Sequence, residues 1–203
     1  MTIYHPTELG SQQFANLGWV GMVGSLAGYN GLVGIGEKAW ENNQDTTSTI
    51  FGQPWMFVVR DVVQFGTNID STIDILQKAN RTYNIRLGVG SKDNQFRGIQ
   101  YTHTNLTIFT DKNYSEPFSP DHPQMDGVFY WYKDNCMTQT IQGNYGKITA
   151  ETIYRLIAPL GKTGDTIMAV YSYATNEIFV SFATNYLAAY NNPPFHFNMT
   201  EWF

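Results

Sequence analysis

The chain has 203 residues, of which 42% are hydrophobic and 14% are charged, and its formal net charge is −5 at pH 7. This length and composition predict one globular domain over residues 1–203 and exclude a disordered chain. The acidic balance, without a basic patch, excludes a nucleic-acid-binding surface, and no apolar run in the sequence reaches the length of a transmembrane segment.

The first patterned stretch is rich in glycine and uncharged from Gly18 to Gly36. It predicts two core strands joined by a turn at Gly28–Gly31, where Asn30 and Gly31 supply the backbone conformations of a tight turn. The first of these strands, Trp19–Leu26, is apolar in a run, which predicts burial on both faces. No phosphate-binding or dinucleotide fingerprint accompanies the glycines, so we expect no cofactor.

Two helices are predicted after a polar surface loop at residues 41–52. The first covers Gln53–Gly66, because Pro54 suits a first helical position and four valines recur at helical spacing on one face. The second covers Thr67–Asn80, with Asp70 three residues after the threonine in a box-like cap. The short connection between them predicts an antiparallel or angled helix pair.

The rest of the sequence predicts strands, one more helix and several loops. The expected strands are 82–90, 96–102, 105–110, 128–132, 166–173 and 177–183, the last two as a hairpin. The expected helix is 149–158, capped by Thr149 and closed by Pro159 and Gly161. Residues 1–13 and 111–123 are expected to be loops, and the aromatic tail 186–203 is expected to pack against the body. This order predicts an α+β fold with largely antiparallel sheets, with which a four-layer αββα sandwich is compatible.

The single cysteine, Cys136, excludes an internal disulfide and a cysteine-based metal cluster, and we expect no metal site. A thiol in the middle of a chain needs a histidine partner to act as a nucleophile. No histidine lies close to Cys136 in the sequence, so an ordinary free thiol is the simpler interpretation.

Four N-glycosylation sequons, at Asn80, Asn105, Asn113 and Asn198, favour a secretory route. The N-terminal residues are too polar for a signal peptide. The two observations agree if the natural N terminus lies upstream of Met1, and the expected location is then secreted or lysosomal.

Several phrases of the sequence resemble one family in a shared order. They are Gly18-Trp19-Val20-Gly21, Gly28-Tyr29-Asn30, Gly34 to Trp40, Gly52 to Asp61, the threonine-led helix from Thr67, Tyr145 to Thr149, and Ala189-Tyr190-Asn191. Together they resemble the autoproteolytic acyltransferases, the N-terminal-nucleophile hydrolases around penicillin acyltransferase and acid ceramidase, and most of all the eukaryotic acid-ceramidase-like members. The resemblance covers nearly all of the chain and implies the αββα sandwich of that class.

The resemblance implies amide-bond chemistry at a cysteine that self-cleavage exposes as a new N terminus. Such a cysteine uses its own α-amino group as base, attacks an amide carbonyl and forms an acyl-enzyme. In the family, the strand pair that carries it precedes the Gly-Trp-Val-Gly phrase. Here the 17 residues before Gly18 include no cysteine and no arginine. We therefore expect a fold that is incomplete at its N terminus and a nucleophile supplied by an N-terminal segment or chain.

Two asparagines are candidate catalytic residues. Asn30 matches a family asparagine whose side-chain amide helps to bind the oxyanion, which is the donor that acyl transfer requires. A plain turn asparagine explains the same residue equally well. Asn135, which follows Asp134, lies where relatives bring a second polar group toward the site.

Other polar and aromatic residues are candidates for supporting roles. Arg60 and Asp61 match an arginine–acid pair of the family, for which we expect a structural ion-pair role. Tyr101, His103 and Trp131 would line an acyl pocket, and they would equally serve as core aromatic or polar residues.

Two functions follow from these observations. The first is an amide hydrolase or acyltransferase that acts on N-acyl amides, including lipid amides such as ceramide, and is inactive as the isolated chain. The second is a secreted, non-catalytic binding or structural protein that retains the fold. An in-frame cysteine and a signal peptide encoded upstream would favour the first, and a stop codon there would favour the second.

Overall fold

The computed structural model describes residues 1–40, 48–112, 125–131 and 135–203. The chain forms two compact units, Met1–Ile108 with Thr200–Phe203, and Phe109–Met199. Antiparallel sheets and helices occur together in the molecule, which confirms the expected α+β class. In the part of the chain that the structure describes, no helix is both long and apolar enough to cross a bilayer.

A seven-stranded sheet is the main element of the first unit, and each strand in it lies beside its neighbour in sequence. Its strands are β1 (Thr2–Tyr4), β2 (Phe14–Leu17), β3 (Ala27–Tyr29), β4 (Val33–Lys38), β5 (Ile85–Ser91), β6 (Phe96–Tyr101) and β7 (Leu106–Phe109). The pairs from β1 through β6 are antiparallel. The expected turn at Asn30 and Gly31 joins β3 to β4, with Gly31 at φ +81°.

Two helices pack on one face of this sheet, α1 (Trp55–Phe65) and α2 (Ile69–Lys78). All four valines of α1 are buried, as their spacing predicted, and they join a core with Ile35, Leu87 and Ile99. The contact is close at Gly28, where a Cβ atom would lie 2.8 Å from Cγ1 of Val63. Glycine at this point of the sheet therefore lets α1 approach the backbone.

The prediction that Trp19–Leu26 forms the first core strand is wrong. The strand before β3 is β2, and residues 18–26 are a loop in which Trp19, Val20 and Val23 are exposed. A turn explains the difference: the amide of Met22 donates to the carbonyl oxygen of Trp19 at 3.1 Å, with Gly21 at φ +84°. An apolar run containing a glycine turn does not stay extended.

The expectation that residues 1–13 form only a loop is wrong, because Thr2–Tyr4 forms β1 at the edge of the sheet. The Tyr4 ring stacks on the ring of Phe14, with centroids 4.9 Å apart. This cross-strand aromatic pair supplies the apolar contact that the polar sequence did not indicate.

The helix boundaries differ from the predicted ones by one or two residues. Pro54 is the residue before α1 rather than its first residue. The cap of α2 is formed by Asn68 and Ser71, not by Thr67 and Asp70, because the asparagine side chain accepts from the amide of Ser71 at 2.8 Å.

The second unit contains short helical segments and a three-stranded antiparallel sheet in the order β10-β9-β8. Its elements are α3 (Asn135–Gly143), α4 (Ala150–Thr152), a π-helical segment (Ile153–Ile157), α5 (Ala158–Gly161), β8 (Ile167–Ser172), β9 (Glu177–Phe182), a 3₁₀ turn (Ala189–Asn191) and β10 (Phe195–Asn198). A further 3₁₀ turn covers Met199–Glu201. The predicted hairpin is confirmed as β8–β9, and the tail packs through β10 as expected.

The predicted helix at 149–158 is confirmed with its Thr149 cap, but it continues past Pro159 to Gly161. Proline has no N–H and crowds the carbonyl of residue i−4, so a regular α-helix tolerates it poorly. Here a wider π-helical turn comes directly before α5, whose second residue is Pro159. Such a turn accommodates the proline, which cannot donate a backbone hydrogen bond to the preceding turn of the helix.

One other expectation fails in the second unit, and one of its helices was not predicted. Residues 128–131 form no strand, because their aromatic side chains pack as a cluster rather than alternating across a sheet. The helix α3 was not predicted, since its polar sequence carries few apolar residues. Residue 132, Asp134, most of the predicted loop 111–123 and the loop segment 41–47 lie outside the described residues.

Candidate functional site

Asn30 is buried to 5% exposure and all of its amide atoms are hydrogen-bonded. Its Nδ2 donates to the carbonyl oxygens of Val63 at 2.9 Å and Gly66 at 2.8 Å. Its Oδ1 accepts from the amides of Leu32 at 2.9 Å and Val33 at 2.8 Å. The side chain therefore links the β3–β4 turn to the last turn of α1.

This geometry bears on the oxyanion role predicted for Asn30. A side-chain amide has two hydrogens, and each one already faces a backbone carbonyl at the end of α1. Carbonyls in the last turn of a helix have no partner within the helix, so the asparagine satisfies groups that burial would otherwise penalise. An oxyanion donor at this position would have to break one of these bonds.

Arg60 and Asp61 have structural contacts, but the expected ion pair is not among them. The Nη1 atom of Arg60 donates to the carbonyl oxygen of Val23 at 2.7 Å, and the guanidinium carbon lies 4.7 Å from the ring centroid of Tyr4. A carboxylate oxygen of Asp61 accepts from Nε2 of Gln53 at 2.5 Å. The arginine thus ties α1 to β1 and to the loop after β2.

The structure brings Tyr101 and His103 together at the end of β6, around Arg81. The Nε atom of Arg81 donates to the carbonyl oxygen of Thr102 at 2.7 Å, and its guanidinium carbon lies 5.8 Å from the Tyr101 ring centroid. Tyr101 is fully buried, and desolvation raises the pKa of its hydroxyl to about 12, although the positive charge of Arg81 acts to lower it. Among the described residues, its hydroxyl has no hydrogen-bond partner.

His103 is oriented by its neighbours. Its Nδ1 lies 2.6 Å from the carbonyl oxygen of Arg81, and its backbone amide donates to Oδ1 of Asn84 at 2.8 Å. Because a carbonyl oxygen only accepts, Nδ1 carries the hydrogen. In a neutral ring Nε2 is then an acceptor, so the imidazole is able to accept a hydrogen bond from a bound molecule.

Arg81, which organises this group, was not among the residues that the sequence predicted for the site. Besides its bond to Thr102, its Nη1 lies 3.4 Å from the carbonyl oxygen of Leu76 and 3.3 Å from that of Gln77, at the end of α2. No sequence signal distinguishes it, because its partners are backbone carbonyls that any residue provides.

Trp131 belongs to an aromatic cluster in the second unit. Its ring centroid lies 4.8 Å from that of Phe129 and 5.7 Å from that of Phe109, both in edge-to-face geometry. Such packing is typical of a core contact. Asn135, the first residue of α3, and Cys136 beside it are exposed.

Three of the four predicted glycosylation sites can be placed. Asn80, Asn105 and Asn198 are exposed, at the end of α2, before β7 and in β10 respectively. Asn113 lies outside the described residues. Nδ2 of Asn105 also lies 3.3 Å from Oγ1 of Thr107, the hydroxyl of its own sequon.

One open cavity of about 300 Å³ lies at the N-terminal end of α2. It is lined by Leu32, Thr67, Asn68, Lys92 and Asp93, which include none of the residues predicted for the site. In residues 1–40, 48–112, 125–131 and 135–203, no group of three or more histidine, cysteine or acidic side chains could hold a metal ion.

Comparison with known proteins finds two relatives in Dictyostelium discoideum. The chain is 32% identical to protein dcd1A over 197 residues, which cover 90% of this chain and 44% of dcd1A. It is 29% identical to protein dcd1B over 226 residues, which cover 100% of this chain and 45% of dcd1B. No protein-family model matches the chain. It thus spans less than half the length of these relatives, and their names state no activity.

Proposed function

We propose that this chain is the scaffold of an amide hydrolase or acyltransferase of the N-terminal-nucleophile class, with N-acyl amides, including lipid amides such as ceramide, as its substrates. The nucleophile is a cysteine at the new N terminus of a preceding segment. The finer architecture under this proposal is the αββα sandwich of that class. The length of the two relatives, more than twice the matched region, is compatible with such a segment.

One observation carries the proposal. Three phrases through which the sequence resembles the family fall on neighbouring elements of one packed unit: the end of β3 with the turn residue Asn30, strand β4, and the first part of α1. The hydrogen bonds from Asn30 to Val63 and Gly66 join the turn to the helix. A scaffold that holds a catalytic segment needs rigid links of this kind.

The proposed reaction proceeds in two steps. The α-amino group of the N-terminal cysteine takes the proton of its own thiol, and the thiolate attacks the acyl carbon. The C–N bond breaks, the amine leaves with that proton, and the acyl group remains on sulfur. Water or an acceptor amine then attacks the thioester and restores the thiol.

Within this proposal, Asn30 is a positioning residue rather than an oxyanion donor, because both of its amide hydrogens are engaged. His103 is a candidate for a polar contact with a substrate, since its Nδ1 is held by the carbonyl oxygen of Arg81 and its Nε2 is left as an acceptor. Asn135 stays a candidate for a polar contact with the substrate, and the observation that supports it is that the residue is exposed. The expected location is secreted or lysosomal, and the exposed sequons at Asn80, Asn105 and Asn198 support it.

The test is to express the chain alone and in a form that includes the sequence encoded upstream. We expect the extended form to process itself at a cysteine and to hydrolyse a fluorogenic N-acyl amide, and the chain alone to show no turnover. Replacing the new N-terminal cysteine with alanine should abolish turnover, whereas Cys136→Ala should leave it unchanged. Turnover by residues 1–203 that Cys136→Ala removes would contradict the proposal.

A second candidate is a non-catalytic secreted binding or structural protein that retains the fold. The saturated amide of Asn30 favours it, because the predicted oxyanion donor is occupied. An extended form that folds and is secreted, yet neither processes itself nor turns over any N-acyl amide, would support this candidate over the first.

A further inference from the structure

Three exposed apolar side chains project from the loop between β2 and β3. Val20 is fully exposed, and Val23 and Trp19 are 62% and 57% exposed. We call these three residues the apolar loop tip. Large apolar side chains presented together on a surface mark an interaction site.

The base of this loop is held by buried polar contacts. The hydroxyl of Ser25 donates to Oδ1 of Asn16 at 2.6 Å, and Nδ2 of Asn16 donates to the carbonyl oxygen of Gly24 at 3.0 Å. Both side chains are almost fully buried, at 0% and 4% exposure. The loop therefore presents its tip from a fixed base, which lowers the entropy cost of binding.

Helix α1 fixes the same loop from its side. The amide of Ser25 donates to the carbonyl oxygen of Met56 at 2.9 Å, and Arg60 donates to that of Val23 at 2.7 Å. Near the other end of α1, the carbonyl oxygen of Gln64 accepts from the amide of Gln12, in the connection between β1 and β2, at 2.7 Å. Both connections therefore lie along one side of the helix, because residues four apart share a side.

The charges around the loop tip are distinctive. The sequence from Leu9 to Gly36 contains no charged residue. Beside the tip stands Arg60, and no carboxylate pairs with its guanidinium in the part of the chain that the structure describes. The carboxylate of Glu8 contacts the last turn of α1 instead, where it accepts from Nε2 of Gln64 at 3.3 Å.

We propose that the apolar loop tip docks on the surface of a phospholipid bilayer. Val20 enters the acyl region, Trp19 sits at the headgroup level that tryptophan favours, and Arg60 faces the lipid phosphates. The tip is convex, since Val20 and Gly21 are the central residues of a tight turn. A convex, uncharged aliphatic tip beside a tryptophan and an arginine matches the layered polarity of a membrane interface.

The preferred membrane is zwitterionic. The net charge of −5 repels an anionic surface, while phosphatidylcholine still offers phosphates to Arg60. This docking needs no nucleophile and no turnover, so it holds or fails independently of the proposed amide chemistry.

The test is flotation of the full chain with phosphatidylcholine vesicles. We expect Val20→Asp to lower the vesicle-bound fraction at least about tenfold, because it removes one buried aliphatic side chain and adds a charge. Tyr186→Asp is the matched control: this aromatic residue is 93% exposed in the second unit, and its change should leave binding within about twofold. Both variants should melt at the wild-type temperature, since neither side chain is packed.

A second measurement locates the tryptophan. Vesicles with brominated acyl chains should quench the fluorescence of the wild-type chain more than that of Trp19→Phe. Absence of wild-type flotation would overturn the proposal, as would equal losses in Val20→Asp and Tyr186→Asp. Self-association that Val20→Asp abolishes, without any vesicle binding, would overturn it in favour of a protein interface.

Discussion

Asn30 and Gly66 are 36 residues apart in sequence, and Nδ2 of the asparagine donates to the glycine carbonyl at 2.8 Å. The same amide donates to Val63, and its oxygen accepts two amides of the turn. One side chain thereby satisfies backbone groups on two elements that the chain order keeps apart. The turn and the helix end are best regarded as one structural piece.

Asn30→Ala should destabilise the protein by about 3 kcal/mol, because it leaves buried backbone carbonyls and amides unsatisfied. Urea unfolding followed by circular dichroism measures the change. Asn105→Ala is the control, since this asparagine is exposed and its loss should cost less than about 0.5 kcal/mol. Equal effects of the two substitutions would show that the Asn30 contacts do not hold the turn to α1.

Gly28→Ala should also destabilise the fold, by about 1–3 kcal/mol. Its new Cβ would lie 2.8 Å from Cγ1 of Val63 and 2.9 Å from the carbonyl oxygen of Ala15. Gly88→Ala, in β5 of the same sheet, is the matched control, because a Cβ there meets nothing within 4 Å. That change should be neutral or stabilising, and thermal melts of both variants check the contrast. A Gly28→Ala protein as stable as Gly88→Ala would rule out the close approach of α1.

The elements that the sequence predicted best have local causes. The valines of α1 repeat at helical spacing, the β8–β9 hairpin alternates on both sides of a turn at Asn176, and Thr149 caps its helix. In each case the signal lies within a few residues of the structure that it specifies. The structure confirms all three of these predictions.

Several of the differences have causes that are distant in sequence. Trp19–Leu26 has the apolar composition of a buried strand, yet it turns at Gly21, and Arg60 of α1 holds this loop from 37 residues beyond Val23. The role of Asn30 depends on the carbonyls of α1, and that of Arg81 on the carbonyl of Thr102. Backbone partners leave no trace in side-chain patterns, so the arrangements around Asn30 and Arg81 could not be predicted from the sequence.

The cap of α2 gives a prediction that separates two neighbouring residues. Asn68→Ala should cost about 1 kcal/mol, because its side chain accepts from the amide of Ser71. Thr67→Ala should cost less than about 0.5 kcal/mol, since its hydroxyl makes only an exposed contact with the Ser71 hydroxyl at 3.3 Å. The denaturant midpoints of the two variants show which residue caps α2. A larger loss of stability for Thr67→Ala would favour the Thr67 cap that the sequence predicted.

Stability should depend on pH through Glu177. Its pKa is lowered by the hydrogen bond from Thr175, and further by the hydrogen bond and charge of His196, whose Nε2 lies 2.8 Å from Oε1. A carboxylate whose pKa is lowered by folding stabilises the protein above its unfolded pKa, about 4.3 for glutamate. That contribution is lost as the pH falls through the folded-state pKa.

The comparison is between the wild type and Glu177→Gln. The difference in unfolding free energy should be largest above pH 5 and should shrink toward pH 3. Thr175→Val should weaken this pH dependence, because it removes the largest cause of the shift. A difference that stays constant with pH, or grows in acid, would contradict the prediction.

The central proposal is that this chain is the scaffold for a cysteine that carries an acyl group. Intact-mass and peptide mass spectrometry of the extended form, mixed with an N-acyl amide and quenched in acid, tests it most directly. We predict one acyl adduct, on the new N-terminal cysteine, in wild type and in Cys136→Ala alike. A folded, self-processed protein without an adduct at that cysteine, or with its adduct on Cys136, would contradict the proposal.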